Sequence, residues 1–489
     1  MKQLSLLLIL TLVSWASVSA SDALPDGFDQ MIEQDMQKWH APGLGLAIVK
    51  DGETVLAKGY GLKSFKTNAS VNKDTVFQAG STTKAFASMA LAMLVDEGKV
   101  SWDDPIIKHI PEFRMGNEYV QNSITIRDAL RHSSGVTQLS NINMFLGKSL
   151  PTAWKMMETN GQQASFRNNW DYNNTTFALS GRVVERVTGQ PFHEFVRDRI
   201  LAPLGMNNTL MLDEEMRNAK NRAEAHQHFE GEDYEIIYPY IEYSQAAGMM
   251  NSTPADMTNW MKFLLAKGKW NGEQLVSAAL VEEMMSPQIL LNPSSIYPAA
   301  ASYPHNYYSY GLAWFAHDFK GHKVAMHTGS INGMSAIIGL IPEKNIGVYV
   351  FINSDHIEYR HALMYTVFDL LLGNETEEWS EKLYTVYHPE QQSEGEAQNT
   401  YPEIVADQLL GTYSLEGSFP LVIEKEGGTI SASLGVSKVE LKKQDDNSYL
   451  IIDSDTAHIP MRNRLRVNLD DANNVTGVVF SGLNFQKKN

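Results

Sequence analysis

Two apolar strand pairs, far apart in the chain, constrain its fold more than any other feature. Residues 43–49 and 53–57 flank Asp51-Gly52, and two β-prone runs about an Asp-Gly turn are a strong hairpin signal. Much later, 334–341 and 346–353 repeat the arrangement across Pro342-Glu343-Lys344-Asn345, and 356–372 then reads as a helix. An amphipathic helix is expected over 28–39, and the chain between the two pairs is mainly helical. The pattern predicts a sheet assembled from both ends of one segment, covered by helices and interrupted by a helical insertion. An α/β or α+β domain ending near residue 388 follows.

With 489 residues there is room for one large domain and a small one. Residues 389–402 are polar and acidic without apolar periodicity, which is linker composition. Short β-prone runs follow at 421–423, 429–434, 439–441, 449–452, 465–469 and 475–480, with turns at Gly427-Gly428 and Asp445-Asp446-Asn447. They predict a small antiparallel barrel or sandwich over 403–489.

Lys2, the apolar run 4–13 and Val18-Ser19-Ala20 have the form of an export signal, with removal expected after Ala20 and a periplasmic or secreted destination. No stretch reaches the roughly 20 uninterrupted apolar residues of a membrane helix, so no stable membrane insertion is expected. The chain has no cysteine, which excludes disulfides, thiolate metal sites, Cys nucleophiles and Cys-linked lipid anchors. A formal net charge of -17 argues against nucleic acid or an anionic membrane as partner. A small-molecule or short-peptide substrate is expected, with homo-oligomer formation left open.

Chemistry is suggested first by Ser81 and Lys84 in Phe77-Gln78-Ala79-Gly80-Ser81-Thr82-Thr83-Lys84-Ala85-Phe86. At this spacing on a helix, a Lys amine reaches the hydroxyl of the Ser that opens it. Ser70 and Lys73 share the spacing but lie in a polar loop, whereas 85–95 is apolar on almost every side and so belongs in a core. Burial would lower the Lys84 pKa towards that of a useful base. An N-cap Ser beside a snorkelling Lys is the ordinary alternative.

Two further segments supply what a Ser/Lys site requires. In Trp170-Asp171-Tyr172-Asn173-Asn174-Thr175, Tyr172 could move protons and the Asn174 amide could hold a substrate carbonyl and Lys84. In Met326-His327-Thr328-Gly329-Ser330, the glycine would let an edge strand approach a ligand and give an N–H to an oxyanion. Taken singly, the first is equally a helix N-cap and the second a turn before a strand.

Together, in this order, these segments resemble the serine β-lactamase and penicillin-binding-protein superfamily, specifically its class C β-lactamase-like branch of D-aminopeptidases, DD-carboxypeptidases and related esterases. The resemblance covers roughly residues 25 to 385 and extends to Leu130-Arg131-His132-Ser133-Ser134-Gly135, Ala247-Gly248-Met249-Met250-Asn251-Ser252-Thr253, Tyr310-Gly311-Leu312-Ala313-Trp314 and Gly329-Ser330-Ile331-Asn332-Gly333. It implies an α+β fold of the β-lactamase/transpeptidase type over 21–388: an antiparallel sheet covered by helices, plus a helical subdomain. It further implies Ser81 as acylated nucleophile, Lys84 as its activator, Tyr172 as acid/base, and substrate binding by Asn174, His327, Thr328, Gly329 and Ser330. The N–H groups of Ser81 and Ser330 would form the oxyanion hole. No cofactor and no metal is implied, and the C-terminal strands resemble a lipocalin-like module.

His327-Thr328-Gly329 departs from the Lys-Thr-Gly of true β-lactamases. A histidine near neutrality suits an anionic substrate carboxylate less well than lysine does, so antibiotic hydrolysis falls behind peptide and ester hydrolysis. No Gly-x-Ser-x-Gly elbow occurs. His226-Gln227-His228 lacks a metal-ligand partner at a recognised spacing, and His132 is expected to buttress a turn. The expectation is an exported serine hydrolase acting through an acyl-enzyme at Ser81, a peptidase or amidase on D-amino-acid or peptidoglycan-like substrates, with an esterase or weak β-lactamase as alternative. The rival of another class is a non-catalytic penicillin-binding-like sensor.

Overall fold

A computed structural model describes residues 24–136, 157–158, 165–229, 232–236, 245–388, 406–415, 419–434, 437–443, 447–453, 460–480 and 483–488. Helix α1 (Phe28–Lys38) leads into β1 (Gly43–Lys50) and β2 (Glu53–Ser64), joined through Asp51 and Gly52 at φ 52° and 81°. Positive φ at both central residues is the hairpin geometry that an Asp-Gly pair favours. A short β3 (Ala69–Ser70) precedes α2 (Lys84–Asp96), α3 (Asn174–Thr188) and α4 (Pro254–Leu265). Then come β4 (Ile289–Leu290), β5 (Tyr308–Tyr310), β6 (Phe315–Phe319), β7 (His322–Ile331), β8 (Met334–Ile341), β9 (Ile346–Ile352) and α5 (Tyr359–Leu372).

These nine strands form one antiparallel sheet in the order β4-β5-β6-β7-β8-β9-β1-β2-β3. The expected joining of both chain ends is the β9–β1 ladder, from Leu44 opposite Ile352 to Lys50 opposite Ile346. Strands β8 and β9 are buried at every position, because alternate side chains enter different cores. Leu44, Leu46, Ile48, Val348 and Val350 pack with α1 and α5, while Ala47, Val49, Tyr349 and Phe351 pack with α2 and α4. The result is a sheet between two helical layers.

Helix α2 lies within the second core from Lys84 through Leu94, all buried, as a sequence apolar on nearly every side demands. The short segment Gln245–Gly248 packs against α3, close enough that a Cβ on Gly181 would lie 3.0 Å from Ala246 Cβ.

The C-terminal region is a closed antiparallel barrel of eight strands in sequential order. The sequence signals six of them. The other two, Gly411–Ser414 and Leu483–Lys487, are short and polar, and they close the barrel by pairing Tyr413 with Lys487 and Ser414 with Gln486. Such pairing of distant ends leaves no local signature. The expected export signal, the 389–402 linker and the Asp445-Asp446 turn residues lie outside the described residues. Among the described residues, no helix is long and apolar enough to cross a membrane.

Candidate active site

Ser81 sits in a 3-10 turn, Gly80–Thr83, that runs directly into α2, rather than in the first turn of the α-helix itself. Its own side chains and the Met250 backbone hold the turn. The Ala79 N–H donates to the Met250 carbonyl at 2.9 Å, Thr83 Oγ1 to the Gly80 carbonyl at 2.6 Å, and the Met250 N–H to Thr83 Oγ1 at 3.1 Å. Thr82 spends its one hydroxyl proton on the Ala79 carbonyl at 2.9 Å, so Tyr349 is the donor in the buried 2.6 Å Thr82–Tyr349 bond. Ser81 is thereby fixed from both sides while its own side chain stays partly exposed.

One turn on, Lys84 is fully buried, and its Nζ reaches three oxygens: Ser81 Oγ at 3.0 Å, Asn174 Oδ1 at 2.6 Å and the Ala247 carbonyl at 2.8 Å. The rings of Tyr172 and Phe177 lie 4.8 and 5.2 Å from the same nitrogen. Burial pushes the amine well below its ordinary range. Two of the three oxygens are carbonyls that only accept, so a neutral Lys84 aims both N–H bonds at them and its lone pair at the Ser81 hydroxyl.

The two asparagines before α3 divide their work. Asn173 is the N-cap, with its side chain accepting the Thr176 N–H at 2.8 Å and donating to the Val136 carbonyl at 2.9 Å. Asn174 is the first helical residue, which leaves its amide for Lys84. His132 buttresses this corner: buried, and held in its neutral form first by desolvation, it accepts the Asn173 N–H on Nδ1 at 3.1 Å. Its ring stands 4.3 Å from that of Tyr172. Burial raises the Tyr172 hydroxyl, nearby Tyr297 adds to the effect, and a hydrogen bond with Ser81 opposes it.

The third segment lies on β7, which is internal to the sheet through the Phe315–Met326 rung and has a free outer side from His327 onward. Against that side packs the Ser81 turn, so the close approach for which Gly329 is needed is to backbone and not to a ligand. A Cβ on Gly329 would lie 1.9 Å from the Ala79 carbonyl oxygen, and one on Gly80 2.8 Å from Ser330 N. The Ser81 and Ser330 amides therefore flank one tight backbone contact.

His327 is 1% exposed. Its Nδ1 donates to the Thr328 carbonyl at 2.6 Å, which makes Nε2 the acceptor of the Tyr310 hydroxyl at 2.9 Å. Burial, reinforced by the field of Lys84, depresses its pKa to about 3. Both ring nitrogens are thus engaged inside the protein and the ring is uncharged. Thr328 Oγ1 bonds the Tyr297 hydroxyl at 2.5 Å. Of the expected set, Ser81, Tyr172, Asn174 and Ser330 remain partly exposed, whereas Lys84, His327, Thr328 and Gly329 are buried behind them.

Sequence reasoning did not single out Ala247 as a Lys84 acceptor, Tyr310 as the partner of His327, or Arg360. Ala247 and Tyr310 stand in segments that carry the family resemblance, and the one signal for Arg360 was a charged residue in a mainly apolar helix, a signal that Asp369 shares. His226 and His228 turn to different partners, the Asn353 carbonyl and Asp233.

The beta-lactamase family model matches residues 28–371. The "Unguisins hydrolase ungD'" of Aspergillus campestris (strain IBT 28561) is 28% identical over 354 residues, 69% of this chain and 63% of that protein. "Protein flp" of Staphylococcus aureus (strain MW2) is 27% identical over 338 residues, 67% of this chain and 63% of that protein. The chain thus spans less than two thirds of the length of these curated relatives. The octameric penicillin-binding protein homologue from Pyrococcus abyssi superposes over 94% of this chain and 99% of its own, with a TM-score of 0.62 at 24% identity. SurE superposes over 96% and 99%, with a TM-score of 0.57 at 19% identity. These structural likenesses bear on fold alone, and it is the match across 28–371 that decides membership: the chain belongs to the beta-lactamase family.

Proposed function

We propose that the protein is a serine hydrolase that forms an acyl-enzyme at Ser81 and cleaves amide bonds in D-amino-acid or peptidoglycan-like peptides, with esters as a secondary substrate. The carrying observation is the geometry of Lys84, whose Nζ has two carbonyl acceptors and Ser81 Oγ within 3.0 Å. Lys84 takes the Ser81 proton as Oγ bonds the substrate carbonyl carbon and the carbonyl π electrons move onto oxygen. The N–H groups of Ser81 and Ser330 stabilise that oxyanion. When it collapses, the C–N bond breaks and Tyr172 gives its proton to the leaving nitrogen and recovers one from Lys84; water then passes a proton through Tyr172 to Lys84 as its oxygen bonds the acyl carbon, and the acid leaves as the C–Oγ bond breaks and that proton returns to Ser81 Oγ.

The substrate class rests on the resemblance and on His327. With an uncharged ring whose nitrogens are both occupied, the third segment offers a substrate carboxylate no cation. Peptide and ester turnover therefore rank above β-lactam turnover. A fluorophosphonate probe is expected to add one adduct to the wild type and none to Ser81→Ala by intact mass; equal labelling of both would end the reading. D-alanyl peptides, p-nitrophenyl esters and nitrocefin, assayed side by side, rank the substrates. Export with cleavage after Ala20 belongs to the same reading, and N-terminal sequencing of the mature protein checks it. Assembly into a homo-oligomer, by analogy with the octameric Pyrococcus abyssi homologue, is read by light scattering.

A further inference from the structure

We infer that Arg360 is a positioning residue that orients the Gly329–Ser330 peptide, and with it the Ser330 N–H that would meet the oxyanion; the inference rests on the serine-hydrolase reading above. Arg360 lies in the first turn of α5 behind the sheet and is 1% exposed. Its Nη1 has the Gly329 carbonyl, Ser330 Oγ at 2.9 Å and the Ala336 carbonyl at 3.1 Å within hydrogen-bond reach and shares its two protons among them. Gly329 and Ala336 are paired across β7 and β8, so one guanidinium nitrogen grips the tips of both strands.

The Gly329 carbonyl and the Ser330 N–H belong to one planar trans peptide and point in opposite directions. Fixing the oxygen on Arg360 therefore fixes the direction of the N–H, towards the side where Gly80 approaches Ser330 N. The positive charge on the oxygen also polarises the peptide and strengthens its N–H as a donor. The strand needs such a hold, because beyond Met326 it has lost β6 as a neighbour.

Glu358 keeps the buried cation in place. Its carboxylate accepts Arg360 Nη2 at 2.8 Å and Nε at 3.2 Å, and His361 Nδ1 at 2.8 Å. Burial opposes the charge, but Arg360 and His361 outweigh it and hold the carboxyl well below the usual carboxylate range. All three Arg360 nitrogens are thus committed inside the protein, and none is left to bind substrate.

The test compares wild type, Arg360→Met and Arg360→Lys on a p-nitrophenyl ester, with Ser81→Ala as blank and thermal melting as the check on folding. Arg360→Met is expected to lower kcat by roughly 10²-fold with KM within about twofold, because misplacing a transition-state donor costs the chemical step and not ground-state binding. Affinity for a boronic acid that becomes tetrahedral on Ser81 is expected to fall in parallel, and Arg360→Lys to recover part of both. Hydrogen exchange at the Ser330 amide is expected to quicken in Arg360→Met. A folded Arg360→Met with unchanged kcat, or a loss confined to KM, overturns the inference; if that variant does not fold, Arg360→Lys with wild-type kcat and boronate affinity does so. Absence of Ser81-dependent turnover in the wild type sinks the hydrolase reading instead, and unchanged exchange at Ser330 then overturns the positioning role separately.

Discussion

A Cβ on Gly329 would lie 1.9 Å from the carbonyl oxygen of Ala79, so the strand and the turn that carry the two proposed oxyanion donors touch backbone to backbone. Neither side can yield easily, because the Ala79 carbonyl is held by Thr82 and the Gly329 carbonyl by Arg360. Gly329→Ala is therefore expected to separate the Ser81 and Ser330 amides. A loss of kcat of about 10²-fold or more should accompany a destabilisation of roughly 1–3 kcal/mol, the range for overpacking a filled site. Ester turnover and urea unfolding of the same preparation measure the two effects, and wild-type kcat in the variant would refute the geometry.

Lys84 sets the expected pH response. As a base it acts only when neutral, and its folded pKa lies well below the ordinary 10.5, so kcat/KM should rise with pH through that depressed value and level off. The stability sign follows from proton counting. Between the folded pKa and 10.5 the unfolded chain binds the proton and the folded one does not, so wild-type stability rises with pH across that window. Lys84→Met lacks this term. The stability of wild type minus that of Lys84→Met should increase towards alkaline pH, and a difference that is flat or falls would contradict a buried neutral amine.

The architecture was readable in sequence wherever a periodicity or a turn residue carried it. Asp51-Gly52 marked the first hairpin, and the apolar run after Lys84, interrupted by Ser88 alone, marked a helix with no exposed face. The site was readable as far as residue types at short spacing go, namely Ser81 with Lys84 and Tyr172 with Asn174. What escaped depended on contacts across the chain. Gly329 looked like room for a ligand because nothing local reveals that Ala79 fills the space. His327 looked like a weak carboxylate ligand because its engagement by Tyr310 exists only once β5 and β7 belong to one sheet. Arg360, remote in sequence from every motif, reaches Gly329 only through the β9–α5 connection.

His327 should be silent to pH over the neutral range. With a folded pKa of about 3 against an ordinary 6.5, the unfolded state takes up its proton first on acidification, so this residue contributes a loss of stability as pH falls from 6.5 towards 3. His327→Gln should flatten that part of the thermal-melting profile. Nitrogen-15 shifts of the ring should report a single Nδ1–H tautomer from pH 5 to 9, and a titration within that range would exclude the assigned hydrogen bonds.

The neighbouring asparagines should separate stability from chemistry. Asn173 caps α3 through Thr176 and also bonds Val136, with its side chain fully buried. Asn173→Ala is expected to cost roughly 1–2 kcal/mol for the lost cap, and more where the Val136 carbonyl stays buried without its donor. Asn174 has no capping duty; its Oδ1 lies 2.6 Å from Lys84 Nζ and fixes one of the two N–H directions that turn the lone pair to Ser81. Asn174→Ala should leave thermal stability nearly unchanged while lowering kcat about tenfold, since a base free to rotate loses its alignment. Measured together, melting temperature and kcat should therefore move in opposite members of the pair; equal losses of stability in both variants would mean that Asn174 serves the fold and that Lys84 is oriented by the Ala247 carbonyl alone.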